Sequence, residues 1–169
     1  MPISVGSPLP DGVLMESTEF DPASGCPLGP KEVPIAATAR GKTIVLFGVP
    51  GAYTPTCSAK HLPGYVRQHE ALRAKGVDEI WCVATNDAFV MAAWGRDQQA
   101  GGKVRMLEDG SAAWAKALGL ELDLTARGMG IRLQRFSALV TEGIVTRLHV
   151  EAPGKFEVSD AASMLARLG

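Results

Sequence analysis

The chain has 169 residues, a formal net charge of -1 and 46% hydrophobic residues, which suits one domain with a sizeable apolar core. Charges of both signs are mixed along the chain, so charge gives no argument for binding nucleic acid or an anionic membrane. The N-terminus lacks a basic stretch followed by an apolar core, and no apolar run approaches the roughly 20 residues that span a bilayer. These features predict one domain over residues 1–169 and a cytoplasmic location.

There are three cysteines, Cys26, Cys57 and Cys82. An odd number in a chain without a secretory leader fits a reducing compartment better than a disulfide-stapled secreted fold. Each thiol is therefore a candidate for chemistry, although packing is the ordinary role of a free cysteine. His69 and His149 have no metal-like spacing with any cysteine or carboxylate, so no metal is predicted.

The first half of the chain contains one outstanding apolar run. Val13–Thr18 is the only strand-like stretch in the first 40 residues, and Gly25–Pro30 indicates a loop. Lys42–Val49 is then almost unbroken in its apolar, β-branched composition, as expected of a strand buried on both faces. A turn-rich segment follows, and a helix is predicted from about Cys57 to Lys75.

The alternation of strand and helix continues. The next predicted elements are a buried strand at Asp78–Thr85, a helix capped by Asn86 and Asp87 that ends near Gln98, a short strand at Val104–Leu107, and a helix that begins after Asp109–Ser111 and stops at Gly119. After an irregular polar segment, two strand-like runs flank Glu142-Gly143 and predict an antiparallel hairpin. Ser159 is predicted to cap a final helix. This order predicts an α/β fold with a mixed central sheet flanked by helices. A thioredoxin-like fold has this order of elements, and the pattern alone leaves several α/β folds open.

The most informative stretch surrounds Cys57. Thr54 followed by Pro55 is a good helix start, with Thr54 as N-cap. Cys57 then lies in the first turn, where free backbone N–H groups and the helix dipole favour a thiolate over a thiol. The hydroxyl of Thr54 is expected to face the sulfur, and Pro50 to shield it. The same pattern also fits a small apolar residue that opens a helix after a core strand.

The pattern Pro50-x-x-x-Thr54-x-x-Cys57 resembles the active-site signature of the peroxiredoxins. Residues 47–58 and 61–65 resemble the peroxiredoxin-5, or type II, branch, and the resemblance runs from about Leu9 to the C-terminus. Its further matches are 77–80, 86–91, 117–120, 134–137 and 142–143. The resemblance implies a thiol-dependent peroxidase that reduces hydrogen peroxide and organic hydroperoxides through a sulfenic acid on Cys57, with no metal or organic cofactor.

The resemblance also implies an arginine that opens the first strand of the late hairpin. Arg135 is at the matching position, and Arg132 is a nearby rival. The guanidinium would hold the thiolate and the peroxide by charge-assisted hydrogen bonds. His61 is one helical turn after Cys57 and would tune the sulfur or transfer a proton, or simply pack or lie on the helix surface. The implied catalytic residues are Pro50, Thr54, Cys57 and Arg135, and the implied substrate-binding residues are Gly51, Thr56 and His61.

The regeneration of Cys57 is a separate question. Some members of the branch carry a resolving cysteine before the last helix, but Pro153–Ser159 contains none. Cys82 matches a second cysteine of plant and bacterial type II members, yet its apolar strand neighbours favour a buried, inert thiol. Cys26 lies in a loop and is expected to be more accessible. We therefore expect a one-cysteine enzyme that glutathione, glutaredoxin or thioredoxin reduces.

Two other functions fit parts of the pattern. A thiol–disulfide oxidoreductase of the same fold would need a Cys-x-x-Cys pair at this helix start, and Pro50–Ser58 contains a single cysteine. A redox-sensing or interaction protein would use oxidation of Cys57 as a switch with little turnover. The resemblance also suggests a homodimer, and no nucleic-acid or membrane partner is predicted.

Overall fold

A computed structural model describes residues 1–169 and contains nine strands and five α-helices. The strands are β1 (Val13–Glu16), β2 (Lys31–Pro34), β3 (Thr43–Gly48), β4 (Glu79–Ala84), β5 (Arg105–Glu108), β6 (Glu121–Leu124), β7 (Gly130–Leu133), β8 (Phe136–Thr141) and β9 (Ile144–Val150). The helices are α1 (Ile35–Ala39), α2 (Leu62–Ala74), α3 (Ala88–Asp97), α4 (Ala113–Leu118) and α5 (Ala161–Arg167), with a π-helical turn at Cys57–His61 and a 3-10 turn at Thr125–Arg127. None of the helices is both long and apolar enough to cross a membrane.

Seven strands form one mixed sheet in the order β2-β1-β5-β4-β3-β8-β9. β3, β4 and β5 are parallel, whereas β8 is antiparallel to β3 and β9 to β8. β3 and β4 consist of nearly continuous apolar residues because helices cover both faces of the sheet there. One face packs against α1 and α4, and the other against α2, α3 and α5. The predicted α/β fold with a mixed central sheet is confirmed.

The topology brings two distant parts of the chain to one edge of the sheet. β3 ends at Gly48, which pairs with Phe136 at the start of the antiparallel strand β8. The loop that follows β3 and leads to Cys57 therefore emerges next to Arg135, the residue that precedes β8. This placement follows from strand direction alone, before any side chain is considered.

Two parts of the chain contain structure that the sequence did not predict. β2 pairs with β1 at the outer edge of the sheet, and α1 follows it directly. The segment predicted to be irregular and polar contains β6 and β7, which form a separate two-stranded sheet. All three missed strands have four residues, too few to show a clear alternation, and backbone pairing rather than a buried apolar face holds them.

The cap of the last helix was also predicted wrongly. Asp160, and not Ser159, is the N-cap of α5, and its carboxylate accepts a hydrogen bond from the N–H of Ser163 at 3.0 Å. Ser159 is fully buried, and its hydroxyl donates to Glu151 instead. A serine and an aspartate in succession both satisfy the capping pattern, and tertiary contacts decide which one caps the helix.

Candidate active site

Cys57 lies at a helix start, as predicted. The N–H of Ser58 donates to the carbonyl of Thr54 at 3.0 Å, so the first turn begins there with Pro55. The turn then widens into the π-helical segment Cys57–His61, in which the N–H of Leu62 donates to the carbonyl of Cys57. Such π-turns are rare and frequently mark functional sites. The N–H groups of a first helical turn have no helical acceptor and favour negative charge near them.

The side chain of Thr54 does not cap this helix. Its hydroxyl donates to the carbonyl of Gly51 at 2.7 Å, so its proton is bound within the loop. Thr54 occupies the predicted N-cap position, since its carbonyl accepts the first helical bond, but its hydroxyl accepts no hydrogen bond from the first-turn N–H groups. An oxygen whose proton is already donated still has lone pairs. Thr54 thus offers the site a hydrogen-bond acceptor rather than a donor.

The loop between β3 and Cys57 is held from the neighbouring elements. The side chain of Asn86, directly after β4, accepts from the N–H of Ala52 at 2.8 Å. Tyr53 adopts a left-handed backbone conformation (φ 61°) and donates its hydroxyl to Asp97 at 2.7 Å. A left-handed conformation is uncommon for a bulky residue, and contacts at both ends of the loop keep it in place. Asn86 was predicted only as a helix cap, and no local pattern indicated its contact with the loop.

Gly51 leaves room for a close approach of Arg132. A Cβ atom at Gly51 would lie 2.6 Å from Nη1 of Arg132, and that nitrogen donates to the carbonyl of Pro50 at 3.2 Å. A side chain at position 51 would therefore displace the guanidinium from the loop. Arg132, the rival of Arg135, supports the loop backbone.

Arg135 contacts the sulfur. Cys57 is fully buried, and Nη2 of Arg135 donates to its Sγ at 3.2 Å. The guanidinium carries its charge at every relevant pH, and a hydrogen bond from a charged donor to a thiolate is stronger than one to a thiol. Phe156 covers the guanidinium, with 5.7 Å between Cζ and the ring centroid, a distance typical of a cation–π contact. The structure places Arg135, rather than its rival Arg132, against the sulfur.

His61 contacts the arginine. Its Nδ1 lies 2.9 Å from Nη1 of Arg135, and its Nε2 lies 3.1 Å from the carbonyl oxygen of Ser159. Because a carbonyl only accepts, Nε2 carries the hydrogen and Nδ1 accepts from the guanidinium. Burial, together with the charge of Arg135, lowers the pKa of His61 to about 3. The ring is therefore neutral, and its observed contacts place it behind Arg135.

A pocket of about 260 Å³ adjoins these groups. Pro50, Thr56 and Arg135 line it, as do Leu122, Gln134 and the segment 151–156. Gly51 and Thr54 do not line this pocket but shape the loop beside it. Its lining combines the charged groups of Arg135, Glu151 and Lys155 with the apolar side chains of Leu122 and Phe156 and two prolines. Such a surface suits a small polar head with an apolar tail.

The other two cysteines have different surroundings. Cys82 is fully buried in β4, and burial raises its pKa well above the usual value. This supports the interpretation of an inert packed thiol. Cys26 is exposed, as predicted. All three cysteines are free.

The sequence did not indicate that Glu151 and Ser159 belong to the surroundings of the site. The carboxylate of Glu151 accepts four hydrogen bonds at 2.7 to 2.9 Å from the N–H groups of Glu157, Val158 and Ser159 and from the hydroxyl of Ser159. The carbonyl of Ser159 in turn accepts from Tyr65 at 2.8 Å as well as from His61. Neither residue belongs to a local motif, since their partners are set by the tertiary fold.

Comparison with known proteins identifies the family. Residues 4–165 match the Redoxin family. The chain is 44% identical to Peroxiredoxin-2B of Arabidopsis thaliana over 167 residues, covering 99% of each chain. It is 46% identical to Peroxiredoxin-2C of Oryza sativa subsp. japonica over 167 residues, again covering 99% of each. The chain belongs to the peroxiredoxins.

Solved structures agree with this assignment. The reduced peroxiredoxin Prx3 of Vibrio vulnificus, crystallised in complex with hydrogen peroxide, has a TM-score of 0.89 and 46% identity, with 99% of each chain covered. Peroxiredoxin 5 of Alvinella pompejana has a TM-score of 0.83 and 31% identity, covering 99% of this chain and 98% of that one. The resemblance to the peroxiredoxin-5, or type II, branch and the thioredoxin-like fold are confirmed. This peroxiredoxin is a thiol-dependent peroxidase, acting on peroxides with thiol reductants.

Proposed function

We propose that Cys57 is the nucleophile of this peroxidase and that Arg135 and Thr54 hold the peroxide against it. The observation that carries this proposal is the 3.2 Å contact between the guanidinium of Arg135 and Sγ of Cys57 at a helix start. Both the guanidinium and the free N–H groups of the first turn favour the thiolate. Only the thiolate form of a cysteine is the nucleophile.

The chemical step is a displacement at oxygen. The thiolate of Cys57 attacks the terminal oxygen of a hydroperoxide, an S–O bond forms as the O–O bond breaks, and Cys57 becomes a sulfenic acid. The leaving oxygen departs as an alkoxide or hydroxide and takes a proton from solvent to give an alcohol or water. Arg135 is placed to stabilise the negative charge on that leaving oxygen, as a preorganised donor does. The lone pairs of Thr54 are available to accept from the O–H of the peroxide.

We further propose that the substrates include organic hydroperoxides as well as hydrogen peroxide. The pocket of about 260 Å³ beside Arg135 exceeds what hydrogen peroxide alone would need, and its lining includes Leu122 and Phe156. Apolar surface of this kind favours an alkyl tail over water. Pro50 and Thr56 border the same pocket and would contact the head of the substrate.

The proposed cycle uses one cysteine. The segment Pro153–Ser159 lacks a cysteine, and Cys82 is enclosed in the core. An external thiol would attack the sulfenic acid, forming a mixed disulfide with Cys57 and releasing water. A second thiol would then break that disulfide and restore the thiol of Cys57. Glutathione, glutaredoxin and thioredoxin are the proposed reductants, and a cytoplasmic location and a homodimer stay predictions.

Steady-state peroxide consumption tests this scheme. Cys57→Ser is expected to abolish consumption with every reductant, because no other thiol has the guanidinium and the helix start. The double variant Cys26→Ser/Cys82→Ser is expected to keep wild-type turnover with glutathione and glutaredoxin or with thioredoxin. Turnover in Cys57→Ser would refute the nucleophile. If the double variant forms sulfenic acid but fails to turn over with any reductant, one of the other cysteines resolves the intermediate.

A further inference from the structure

We propose that Glu151 is a positioning residue for the peroxidase reaction: its buried carboxylate holds Ser159, Ser159 holds His61, and His61 holds the guanidinium of Arg135 against Cys57. The inference rests on the proposed roles of Cys57 and Arg135. Glu151 itself does not touch the sulfur, so it acts through these intermediaries.

The register of the late hairpin places Glu151 opposite Arg135. Phe136 pairs with Val150, and the N–H of Glu151 donates to the carbonyl of Arg135 at 2.9 Å. This register depends on a bulge, since Leu139 pairs with Arg147 but the next residue, Val140, pairs with Val145. Thr146 is the extra residue. If Thr146 were instead paired with Leu139 in a regular ladder, Val150 would lie opposite Arg135, because a shift by one residue changes every later partner along the strand.

The carboxylate of Glu151 is surrounded by hydrogen-bond donors. Three consecutive N–H groups, those of Glu157, Val158 and Ser159, donate to it at 2.8 to 2.9 Å, and the Ser159 hydroxyl adds a bond of 2.7 Å. The residue is only 7% exposed. Four donors around one buried carboxylate indicate that it is ionised, because a protonated carboxyl would place its own hydrogen among them. These bonds fix the end of the loop at Ser159.

The fixed loop end holds the ring of His61. The carbonyl of Ser159 accepts from Nε2 of His61 at 3.1 Å and from the hydroxyl of Tyr65 at 2.8 Å. That bond sets the tautomer that leaves Nδ1 free to accept from Arg135. His61 also packs against Phe156, with 4.9 Å between ring centroids, and Phe156 belongs to the loop that Glu151 holds.

The contacts close into a ring. Arg135 is held at its backbone by the N–H of Glu151 and at its guanidinium by His61, and both contacts lead back to Glu151. A free arginine side chain samples many rotamers, and holding it in one geometry costs conformational entropy. Supporting residues of this kind hold a reactive group in its productive geometry. Loss of the Glu151 carboxylate should therefore act on the reaction through Arg135.

A double-mutant cycle on the oxidation rate tests this inference. The rate constant of Cys57 with hydrogen peroxide is measured by stopped flow for wild type, Glu151→Ala, Arg135→Ala and the double variant. With Arg135 present, Glu151→Ala is expected to lower this rate constant about 10- to 100-fold, the range seen when supporting residues are removed. In the Arg135→Ala background, the same change is expected to cost less than about twofold, because the residue through which it acts is already absent.

Matched variants keep the test decisive. Glu157→Ala makes the same change in the same loop on an exposed side chain and is expected to keep the wild-type rate. If Glu151→Ala does not fold, Glu151→Gln replaces it in the cycle, since the amide oxygen keeps some of the accepted bonds, and a smaller loss with the same non-additivity is expected.

Two results would overturn the inference alone. One is an equal loss in both backgrounds, which would give Glu151 a general structural role. The other is a wild-type rate in a folded Glu151→Ala protein. A wild-type rate in Arg135→Ala would instead refute the proposed role of Arg135, and the inference with it.

Discussion

Cys57 and Cys82 are two fully buried thiols in one apolar cluster on the same face of the sheet. Cys57 lies at the start of a helix with a guanidinium 3.2 Å from its sulfur. Cys82 lies in mid-strand, paired on either side with Phe47 and Met106, and burial and the nearby Cys57 raise its pKa. Burial is common to both residues, so burial does not decide which thiol reacts.

The difference between the two thiols comes from the donors around them. A mid-strand residue has its backbone N–H groups bound in the ladder, so none is free to solvate an anion. A first helical turn leaves several N–H groups free. Arg135, at the start of the hairpin, places its positive charge beside Cys57 and not beside Cys82. The reactivity of a buried thiol thus depends on whether free backbone N–H groups and a positively charged side chain lie beside its sulfur.

Removing the charge should have the largest effect on this difference. Arg135→Ala is expected to slow the oxidation of Cys57 by hydrogen peroxide by about 10²- to 10³-fold, the usual cost of losing one preorganised donor. Arg132→Ala is the matched control, because its guanidinium binds the carbonyl of Pro50 and not the sulfur. Arg132→Ala should lower the oxidation rate much less than Arg135→Ala. Equal losses in stopped-flow measurements would show that the contact with Cys57 has no special weight.

Removing the acceptor beside the sulfur should have a smaller effect. Thr54→Val deletes the hydroxyl that donates to Gly51 at 2.7 Å, and a single hydrogen bond contributes about 1 kcal/mol, or roughly fivefold in rate. Thr54→Ser keeps the hydroxyl and is expected to stay within about twofold of wild type. The comparison uses the rate constant with an alkyl hydroperoxide. A valine variant as fast as the serine variant would remove Thr54 from the proposed site.

The smallest effect concerns stability at high pH and tests Cys82. In the folded protein its pKa lies above the usual value of 9.0, so its contribution to stability is complete below pH 9 and is lost as the pH rises further, when the unfolded state ionises first. Relative to Cys82→Ala, the wild type should therefore lose up to about 1.4 kcal/mol per pH unit above this point. Urea unfolding between pH 8 and 10 measures this difference. A constant difference would show that Cys82 ionises as easily in the folded protein.

Much of the fold was predictable because its signals are local. The runs that became β3 and β4, the helix start at Pro55 and the hairpin turn at Glu142 each depend on neighbouring residues. Glu142 and Gly143 both adopt positive φ (51° and 80°), as the two-residue turn requires. The short strands β2, β6 and β7 had no such signal, since their pairing partners are supplied by the fold.

By itself, the sequence determined the family, the helix start at Pro55 that carries Cys57, and the arginine before the late hairpin, because each depends on residue types and spacings along the chain. Only the tertiary structure decided that the hydroxyl of Thr54 binds Gly51, that His61 lies behind Arg135 and that Glu151 holds the loop around Ser159. The contact of Thr54 depends on the conformation of its own loop, whereas those of His61 and Glu151 depend on strand direction and on the bulge at Thr146. Hydrogen bonds are short-ranged and directional, so a register shift of one residue in the hairpin would have given Arg135 a different partner in place of Glu151.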